Sequence, residues 1–433
     1  MSGPANILVL GAYGLIGSAV CRRLIADGHA VTGLGRSAGT AAQALPGVPF
    51  VARDLTALCE PAAWDALLTD IDLVVNCAGA LQDGGRDDLD AVHHRMLAAL
   101  AQAAAPVGIV QVSAVGVAAD AATDFLRSKA RGDAAIRASG KDWWILRPGL
   151  VIGQGAYGGT ALLRMLAAFP VLQPLAYPHA PVQTVAIDDV ADAAARCARR
   201  EIPVGTEADL VEEAPQSLAV VVAAYRRWLG FAPARTQVVS PEPLTRAAAL
   251  LSDGLGRFGW RSPLRTTAMT VMRDGVRGDP GPWRALTGAP LRPLRDALAA
   301  HPAHVQDRWH ARLALLAPAI FATLALFWLL SGLIGLWRID AAAAVLARNG
   351  WSVATAQAAV ALWAVVDIAL GLGMLWRRWA GRAIEGMILV SALYLLGGAL
   401  FAPELWADPL GPMLKVFPAL MLALVARVLL EAR

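Results

Sequence analysis

Hydrophobic and polar positions divide the chain into two parts. Before about residue 310, short apolar runs alternate with segments of helical spacing, and charged residues interrupt both. Beyond that point the apolar runs are long enough to span a bilayer. The pattern predicts a water-exposed α/β part followed by a membrane part.

Six apolar runs in the first part have the length and composition of β-strands. They are residues 6–10 (NILVL), 30–36 (AVTGLGR), 48–55, 72–79, 108–116 and 143–149. Apolar helical segments lie between them, and strands that alternate with helices form a parallel sheet covered on both faces. The predicted fold class is therefore α/β, with a doubly wound parallel sheet.

A glycine motif, GAYGLIG, joins the first predicted strand to a helical segment. Gly11 permits a tight turn, Gly14 lets the backbone approach a pyrophosphate, and Gly17 lets helix and strand pack closely. The N–H groups at the start of the helix then face the phosphates. Because strand, glycine turn and helix occur together, the motif predicts a dinucleotide site rather than a plain turn. The candidate contacts are Gly11, Tyr13, Gly14, Leu15, Ile16 and Gly17.

The second predicted strand ends at Arg36 without a carboxylate. An NAD site usually places Asp or Glu about 20 residues after the glycines, where it holds the ribose 2′-hydroxyl. Arg36 lies 19 positions beyond Gly17, where a guanidinium can bind a 2′-phosphate instead. We therefore expect NADP(H) in preference to NAD(H). The alternative is an exposed loop arginine with no part in binding.

Further motifs lie in the same part of the chain. They are Asp54-Leu55, NCAG (76–79), VSAVG (112–116), Lys129, LRPG (146–149) and PVQTVAIDDVADAA (181–194). With the glycine motif, and over residues 5–240, the sequence resembles the extended and atypical short-chain dehydrogenase/reductase superfamily, epimerase-like members included. The resemblance implies a Rossmann fold with a small substrate lobe. The positions that it implies for cofactor binding are Asp54 and Leu55 near the adenine, Asn76, Cys77, Ala78 and Gly79 along the dinucleotide, and Pro148 beside the nicotinamide.

The resemblance also implies catalytic residues. In that superfamily Lys lowers the pKa of a Tyr and holds the ribose, Ser steadies the substrate oxygen, and the Tyr exchanges the proton. Ser113 and Lys129 match this set, whereas Phe125 occupies the tyrosine position and has no proton to exchange. Two residues are candidates to replace the tyrosine. They are Tyr157, in the glycine-rich loop GQGAYGG, and Asp124, which with Thr123 also fits a helix N-cap.

Composition and charge restrict the functional class. Hydrophobic residues make up 57% of the 433 residues and charged residues 17%, which is on the membrane side of ordinary composition. The net charge is +4, but the arginines form no dense block, which argues against a nucleic-acid partner. Four separated cysteines without a C-x-x-C pair favour a reduced compartment. No Cys/His set supports a metal site, and the adjacent His93 and His94 point apart on a predicted helix.

Four apolar segments predict a bundle of four transmembrane helices: 313–337, 352–376, 386–401 and 412–430. The loop after the second, RRWAGR, is basic, and the loop after the third, APELWADPLG, is acidic. The positive-inside rule, with no signal peptide evident at the N-terminus, predicts an inner-membrane protein whose termini and Rossmann part face the cytoplasm. DIALGLGMLW (367–376) and PELWADPLGPMLK (403–415) resemble the DoxX-like family of four-helix membrane domains. The predicted domains are 1–200, 201–310 and 311–433.

Two charged residues interrupt the predicted membrane segments at matching positions. Asp367 and Arg427 each lie 15 positions beyond the start of their segment, a depth of about 22 Å at ~1.5 Å per residue. The matching depth predicts an ion pair inside the bilayer. The alternative is that Arg427 extends to the inner surface and that Asp367 faces a polar seam.

Two functions fit these expectations. The first is an NADP(H)-dependent oxidoreductase or epimerase, tethered where it meets membrane lipids and an amphipathic small molecule such as a quinone. The second is a non-catalytic NADP(H)-binding structural or sensor protein, a role that resemblance to the atypical branch containing the NADPH-binding subunit of respiratory complex I implies. A transporter ranks last, because the segments show no inverted repeat.

Overall fold

Residues 3–81, 83, 88–260 and 262–431 are described by the computed structural model of the chain. They form two units. The first unit consists of the residues up to Asp253 and of Ser262–Arg308. The second unit consists of the short segment that begins at Gly254 and of the residues from Trp309 onward.

The strands of the first unit are short and largely buried. They are β1 Asn6–Leu10, β2 Ala30–Gly35, β3 Phe50–Ala52, β4 Leu73–Asn76, β5 Gly108–Val112, β6 Trp143–Pro148, β7 Leu150–Ile152, β8 Leu172–Leu175, β9 Pro181–Val182, β10 Thr184–Ala186, β11 Thr206–Leu210, β12 Gln216–Ser217 and β13 Thr236–Val239. Seven of them form one sheet in the order β11-β6-β5-β4-β1-β2-β3, and every pair in it is parallel. The doubly wound parallel sheet predicted from the sequence is confirmed.

The α-helices of the first unit are α1 Leu15–Ala26, α2 Ala38–Ala44, α3 Met96–Gln102, α4 Asp124–Arg137, α5 Gly158–Ala167, α6 Ile187–Ala198, α7 Leu218–Trp228, α8 Glu242–Arg257, α9 Thr266–Asp274, α10 Gly281–Thr287 and α11 Leu294–Ala300. Helices α1 and α6 cover one face of the main sheet, and α3 covers the other. Alternate residues of β1 point to opposite faces, so Ile7 belongs to a core with α1 and α6, and Leu8 to a core with α3. The continuous apolar runs of the sequence reflect burial on both sides.

Two cysteines belong to the first of these cores. Cys21 on α1 and Cys197 on α6 are both fully buried. Burial raises the pKa of the Cys21 thiol to about 12 and that of Cys197 well above its usual range. Both thiols are therefore neutral apolar side chains at physiological pH.

Three two-stranded sheets lie outside the main sheet, formed by β7 with β10, β9 with β12, and β8 with β13. Helix α7 packs against α5. Arg226 on α7 donates to the carbonyls of Ala167 and Phe169, both at 2.7 Å, so a buried guanidinium ties α7 to the end of α5. Of these strands, β7 to β10 precede β11 of the main sheet in the chain, and β12 and β13 follow it.

The second unit is helical. Its helices are α12 Val305–Trp337, which begins in the first unit, α13 Ile339–Arg348, α14 Val353–Gly373, α15 Arg377–Phe401 and α16 Val416–Leu429. Three of them, α12, α14 and α15, are long and apolar enough to cross a membrane, and α16 is shorter, with 14 residues. RRWAGR was predicted as a loop but forms the first turns of α15, which is therefore longer than the segment 386–401.

The predicted ion pair between Asp367 and Arg427 is wrong. Arg427 binds Glu385 and Glu431, each at 3.1 Å. The buried Asp367 instead accepts hydrogen bonds from Ser331 Oγ at 3.1 Å and Tyr394 Oη at 2.8 Å. Two side chains at equal depth along two helices do not necessarily face each other. Arg427 also has an acidic partner, Glu431, four positions later in the chain.

Replacing Asp367 by leucine is expected to destabilise the second unit by about 1–3 kcal/mol, because two hydroxyls lose their acceptor in an apolar surrounding. Asp367→Asn keeps a carbonyl oxygen and should cost less. Thermal unfolding in detergent measures the difference. Combining Asp367→Leu with Ser331→Ala and Tyr394→Phe removes the stranded donors and should restore part of the stability. If Asp367→Leu is as stable as the wild type, these bonds do not hold the helices.

Candidate functional site

The glycine motif forms a turn that only glycine fits. Gly11 has a φ of 68°, and its N–H donates to Leu34 O at 2.9 Å. The N–H of Gly14 donates to Gly11 O at 2.9 Å. A Cβ on Gly17 would fall on Gly11 O and lie 3.0 Å from Ala12 Cα. The turn therefore brings the start of α1 directly against the end of β1.

Helix α1 begins with its first N–H groups facing this turn. Its N-cap, Gly14, provides no side-chain cap, and Leu15 and Ile16 are its first residues. The first N–H groups of a helix have no partner within the helix, and with the helix dipole they favour an anion. A pyrophosphate fits this position.

Basic side chains lie at the ends of the next two strands. Arg36 follows β2 and Arg53 follows β3, and both are exposed. The two strand ends are adjacent, because Arg53 N donates to Gly35 O at 2.8 Å. The Tyr13 ring packs against Phe50 at 5.9 Å beside them. Sequence reasoning identified Arg36 but missed Arg53, whose position immediately before Asp54-Leu55 was the available signal.

Asp54 and Leu55, the residues predicted to lie near the adenine, are at the start of a short 3₁₀-helix. Asp54 accepts a hydrogen bond from Thr56 N at 3.0 Å and caps a 3₁₀-helix, Leu55–Leu58. Leu55 is buried. The backbone after β3 thus has a defined conformation next to Arg53.

The NCAG segment lies against the glycine turn. Asn76 donates from Nδ2 to Gln111 Oε1 at 2.8 Å and accepts from Ala78 N at 3.1 Å. Cys77 N donates to Leu10 O at 3.0 Å. A Cβ on Gly11 would be 2.9 Å from Ala78 Cα. The ends of β1 and β4 therefore form one continuous backbone surface at the carboxyl edge of the sheet, where nucleotides bind in such folds.

Ser113 and Lys129 meet at the end of β5. Lys129, on α4, donates from Nζ to Val112 O at 3.2 Å, and a Cβ on Gly79 would lie 3.9 Å from Nζ. Ser113 donates from Oγ to Asp133 Oδ2 at 2.7 Å. Pro148 ends β6 nearby, where its carbonyl accepts from Val115 N at 3.2 Å. The structure thus brings together Ser113, Lys129 and Asp133.

Asp133 is a site residue that sequence reasoning missed. It is fully buried, one turn after Lys129 on the same helix face, and its Oδ1 has no partner in the described part of the chain. Burial raises the pKa of Asp133, although the Ser113 hydrogen bond and the Lys129 charge oppose that rise. Burial also lowers the pKa of Lys129. The four-residue spacing from Lys129 was the signal that would have found Asp133.

Phe125 fills the position of the missing tyrosine with an apolar contact. Its ring meets His93 edge-on at 5.6 Å and lies 5.7 Å from Lys129 Nζ. Thr123 caps α4 by accepting from Leu126 N at 3.3 Å. Asp124 binds Arg127 on the exposed side at 2.5 Å, so it lies away from Ser113 and Lys129.

Tyr157, the other candidate acid, is 60% exposed. It is the N-cap residue of α5, and its N–H donates to Thr160 Oγ1 at 3.1 Å. The structure therefore places Tyr157 on a surface loop and gives it no hydrogen bond to Ser113 or Lys129.

His93 is a second missed residue. It is buried, accepts from Ala80 N through Nε2 at 3.1 Å and has Nδ1 at 2.8 Å from Ser128 Oγ. Because Nε2 must supply a lone pair, the proton lies on Nδ1 and is donated to Ser128. Burial, helped by the charge of Lys129, lowers the pKa of His93 to about 2. A neutral imidazole thus fixes the NCAG segment to α4.

The neutral His93 predicts that stability falls in mild acid. The imidazole titrates at its usual pKa of 6.5 when the chain unfolds but stays neutral in the fold. The unfolded state therefore gains protons below pH 6.5, and the first unit is expected to lose about 2 kcal/mol between pH 8 and pH 5. His93→Gln keeps an acceptor and a donor and should flatten this loss. Urea unfolding at both pH values measures it, and a loss in His93→Gln equal to that of the wild type would contradict the prediction.

No group of three His, Cys, Asp or Glu side chains within the described residues is arranged to hold a metal ion. The site therefore consists of backbone N–H groups, two exposed arginines and the buried set around Lys129.

Two family models match the sequence. Residues 11–201 match a family described as NAD(P)H-binding, and residues 325–424 match the DoxX-like family. The chain contains an NAD(P)H-binding domain and a DoxX-like domain. A comparison with curated proteins finds no match.

Solved structures share the fold of the NAD(P)H-binding domain. Citrobacter sp. triphenylmethane reductase with NADP(H) is 18% identical over 68% of this chain and 99% of its own, with a TM-score of 0.53. An Escherichia coli NADPH-dependent quinone oxidoreductase with NADPH has the same identity and coverage and a TM-score of 0.52. Bordetella bronchiseptica WbmH with NAD⁺ is 16% identical over 69% of this chain and 97% of its own, with a TM-score of 0.50. The likeness shows that this domain has the same fold as these dinucleotide-binding proteins.

Proposed function

We propose that the chain is a membrane-anchored, NADP(H)-binding reductase of the short-chain dehydrogenase type, which acts on an amphipathic acceptor such as a quinone. The observation that carries this proposal is the buried Lys129 beside Ser113 and Gly79 at the carboxyl edge of the sheet. When bound, the nicotinamide supplies a hydride. Lys129 would then hold the ribose, and the Ser113 hydroxyl, which donates to Asp133 in this structure, would turn to the oxygen of the acceptor.

The cofactor site consists of the glycine turn, the start of α1 and the NCAG segment. Gly11, Gly14 and Gly17 fit a pyrophosphate, because no side chain intervenes between it and the helix N–H groups. Arg36 and Arg53 support the choice of NADP(H), since both follow the adjacent ends of β2 and β3, where a guanidinium can bind a 2′-phosphate. The other proposed contacts are Tyr13, Leu15, Ile16, Asp54, Leu55, Cys77, Ala78, Gly79, Lys129 and Pro148.

Phe125 restricts the acceptor. Because it offers no proton, the acceptor must hold the added negative charge until water protonates it. A quinone does so, since its hydroquinone anion is delocalised, and two proteins of the same fold are named as quinone and triphenylmethane-dye reductases. For an acceptor that needs an acid, we propose Tyr157 on its exposed loop.

A second function is favoured by the same residues. The Phe125 ring packs on His93, and the Ser113 hydroxyl donates to Asp133 rather than into the site. Both contacts suit a non-catalytic protein that holds NADP(H) as a structural or sensory group.

For either function, the distribution of arginines supports an inner-membrane location with both termini in the cytoplasm. We propose the domain division 1–200, 201–310 and 311–433.

Mass spectrometry of the full chain in mild detergent, followed by an assay of NADPH oxidation with a soluble quinone, separates the two functions. We expect bound NADP(H), quinone-dependent turnover, and loss of both in Lys129→Ala. Lys141→Ala is the control, since Lys141 donates to the carbonyls of Ala103 and Ala105 away from the site. Nucleotide that is retained without turnover would identify the non-catalytic protein instead.

A further inference from the structure

The exposed and buried sides of helix α8 are reversed relative to those of a helix on the surface of a water-exposed protein. It buries small or polar side chains, those of Thr245, Ala249 and Ser252. Its leucines are exposed instead: Leu244 by 63%, Leu250 by 56%, Leu251 by 66% and Leu255 by 40%. The helix therefore presents its apolar side away from the protein core.

Three of these leucines, Leu244, Leu251 and Leu255, form one stripe, which we call the α8 stripe, whereas Leu250 lies on another side of the helix with the arginines. Leu251 lies seven positions after Leu244 and four before Leu255, so at 100° per residue the three directions agree within about 40°. Two exposed arginines, Arg246 and Arg257, lie eleven positions apart and share a different side of the helix. An apolar stripe beside a basic side is the arrangement of helices that lie in a membrane interface.

Water is an unfavourable surrounding for the α8 stripe. Each leucine side chain gains free energy when it leaves water, so three leucines in one stripe call for an apolar partner. Single exposed leucines are ordinary on protein surfaces, but a helix whose outward side is consistently more apolar than its buried side marks a contact surface.

The continuation of α8 indicates which partner this is. The residues from Gly254 onward belong to the helical second unit. Within that unit Phe258 meets the Trp376 ring at 5.3 Å, and Trp260 packs on Phe321 at 4.9 Å and donates to Leu375 O at 2.9 Å. Trp376 directly precedes α15, and tryptophans and arginines at the end of an apolar helix are typical of the membrane–water interface. The α8 stripe is thus continuous in sequence with a segment anchored at that interface.

We propose that α8 is an interfacial helix, whose leucine stripe enters the acyl edge of the bilayer and whose arginines meet anionic headgroups. The membrane contact of the chain then includes a helix of the first unit in addition to the DoxX-like domain. A lipid surface, and not a second copy of the chain, is its partner.

Spin labelling of the full chain in vesicles of phosphatidylcholine and phosphatidylglycerol tests this proposal. Labels at Leu251→Cys and Leu255→Cys are expected to be more accessible to oxygen than to a water-soluble nickel chelate. A label at Arg246→Cys, on the basic side, should show the reverse. Ile25→Cys on α1, 43% exposed, gives the reference for water. The unsubstituted chain treated with the label corrects for its native cysteines.

Three results would overturn the proposal. Nickel access at Leu251 equal to that at Ile25 would place the stripe in water. Dipolar broadening between labels would show a second copy against it, and low access to both reagents without broadening would show a protein contact. As a second measurement, adding Leu251→Glu to the chain labelled at residue 255 should shift that label toward the nickel chelate, because the carboxylate draws the helix out of the acyl edge.

Discussion

Replacing Gly17 by alanine is expected to abolish dinucleotide binding. The new Cβ would fall on Gly11 O and lie 2.9 Å from Gly11 C. These are backbone atoms of a tight turn and cannot move aside as a flexible side chain would. The start of α1 must therefore shift away from β1, which removes the pyrophosphate position and costs about 1–3 kcal/mol of stability. Titration of the detergent-purified chain with NADPH, followed by nucleotide fluorescence, measures the loss.

Gly39→Ala is the matched control for this substitution. Gly39 lies in α2, and a Cβ there would meet nothing within 4 Å. Alanine is expected to stabilise that helix by up to about 1 kcal/mol and to leave binding unchanged. Equal NADPH affinity in Gly17→Ala and the wild type would refute the assignment of the glycine turn as the cofactor site.

Replacing Phe125 by tyrosine is expected to raise NADPH-dependent reduction of a simple aldehyde about a hundredfold or more. The substitution adds a hydroxyl to a ring that already lies 5.7 Å from Lys129 Nζ. Lysine lowers the pKa of such a tyrosine, and a positioned general acid contributes about 10²–10⁴-fold to rate. The initial rate of NADPH oxidation with and without the aldehyde measures the gain.

Two variants separate proton donation from a change of shape. Phe125→Leu opens the site without adding a hydroxyl and should give no gain. Phe125→Tyr combined with Lys129→Met keeps the hydroxyl but should lose most of the gain. If Phe125→Tyr binds NADPH as the wild type does and still reduces no aldehyde, the site admits no carbonyl substrate, and the non-catalytic function is favoured.

The central strands were predictable because they are buried on both faces. Every residue of β1 after Asn6 is buried, so NILVL carries a continuous apolar signal. Strand β11, TEADL, carries no such signal, since it lies at the edge of the sheet. There Glu207 forms ion pairs with Arg137 and Arg147 at the surface. Edge strands tolerate charge, so hydrophobic pattern alone does not find them.

The residues of the candidate site also differ in how far the sequence alone indicates them. Gly11, Gly14, Gly17 and Lys129 were readable because their motifs are local in sequence. His93 was not, because adjacent histidines on a helix point apart and nothing local tells which one is buried. Its role depends on Ala80 and Ser128, 13 and 35 positions away in the chain. Contacts of that kind arise only from the packing of α4 against the NCAG segment.

The environment of the cysteines has a chemical consequence for the proposed reaction with quinones. Quinones are electrophiles that alkylate thiolates, and the thiolate is the reactive form of cysteine. Besides Cys21 and Cys197, burial raises the pKa of Cys59 and Cys77. All four thiols therefore stay protonated at neutral pH, Cys77 included, although it lies in the NCAG segment of the proposed dinucleotide site. The NAD(P)H-binding domain is thus built to resist covalent inactivation by the acceptors proposed for it.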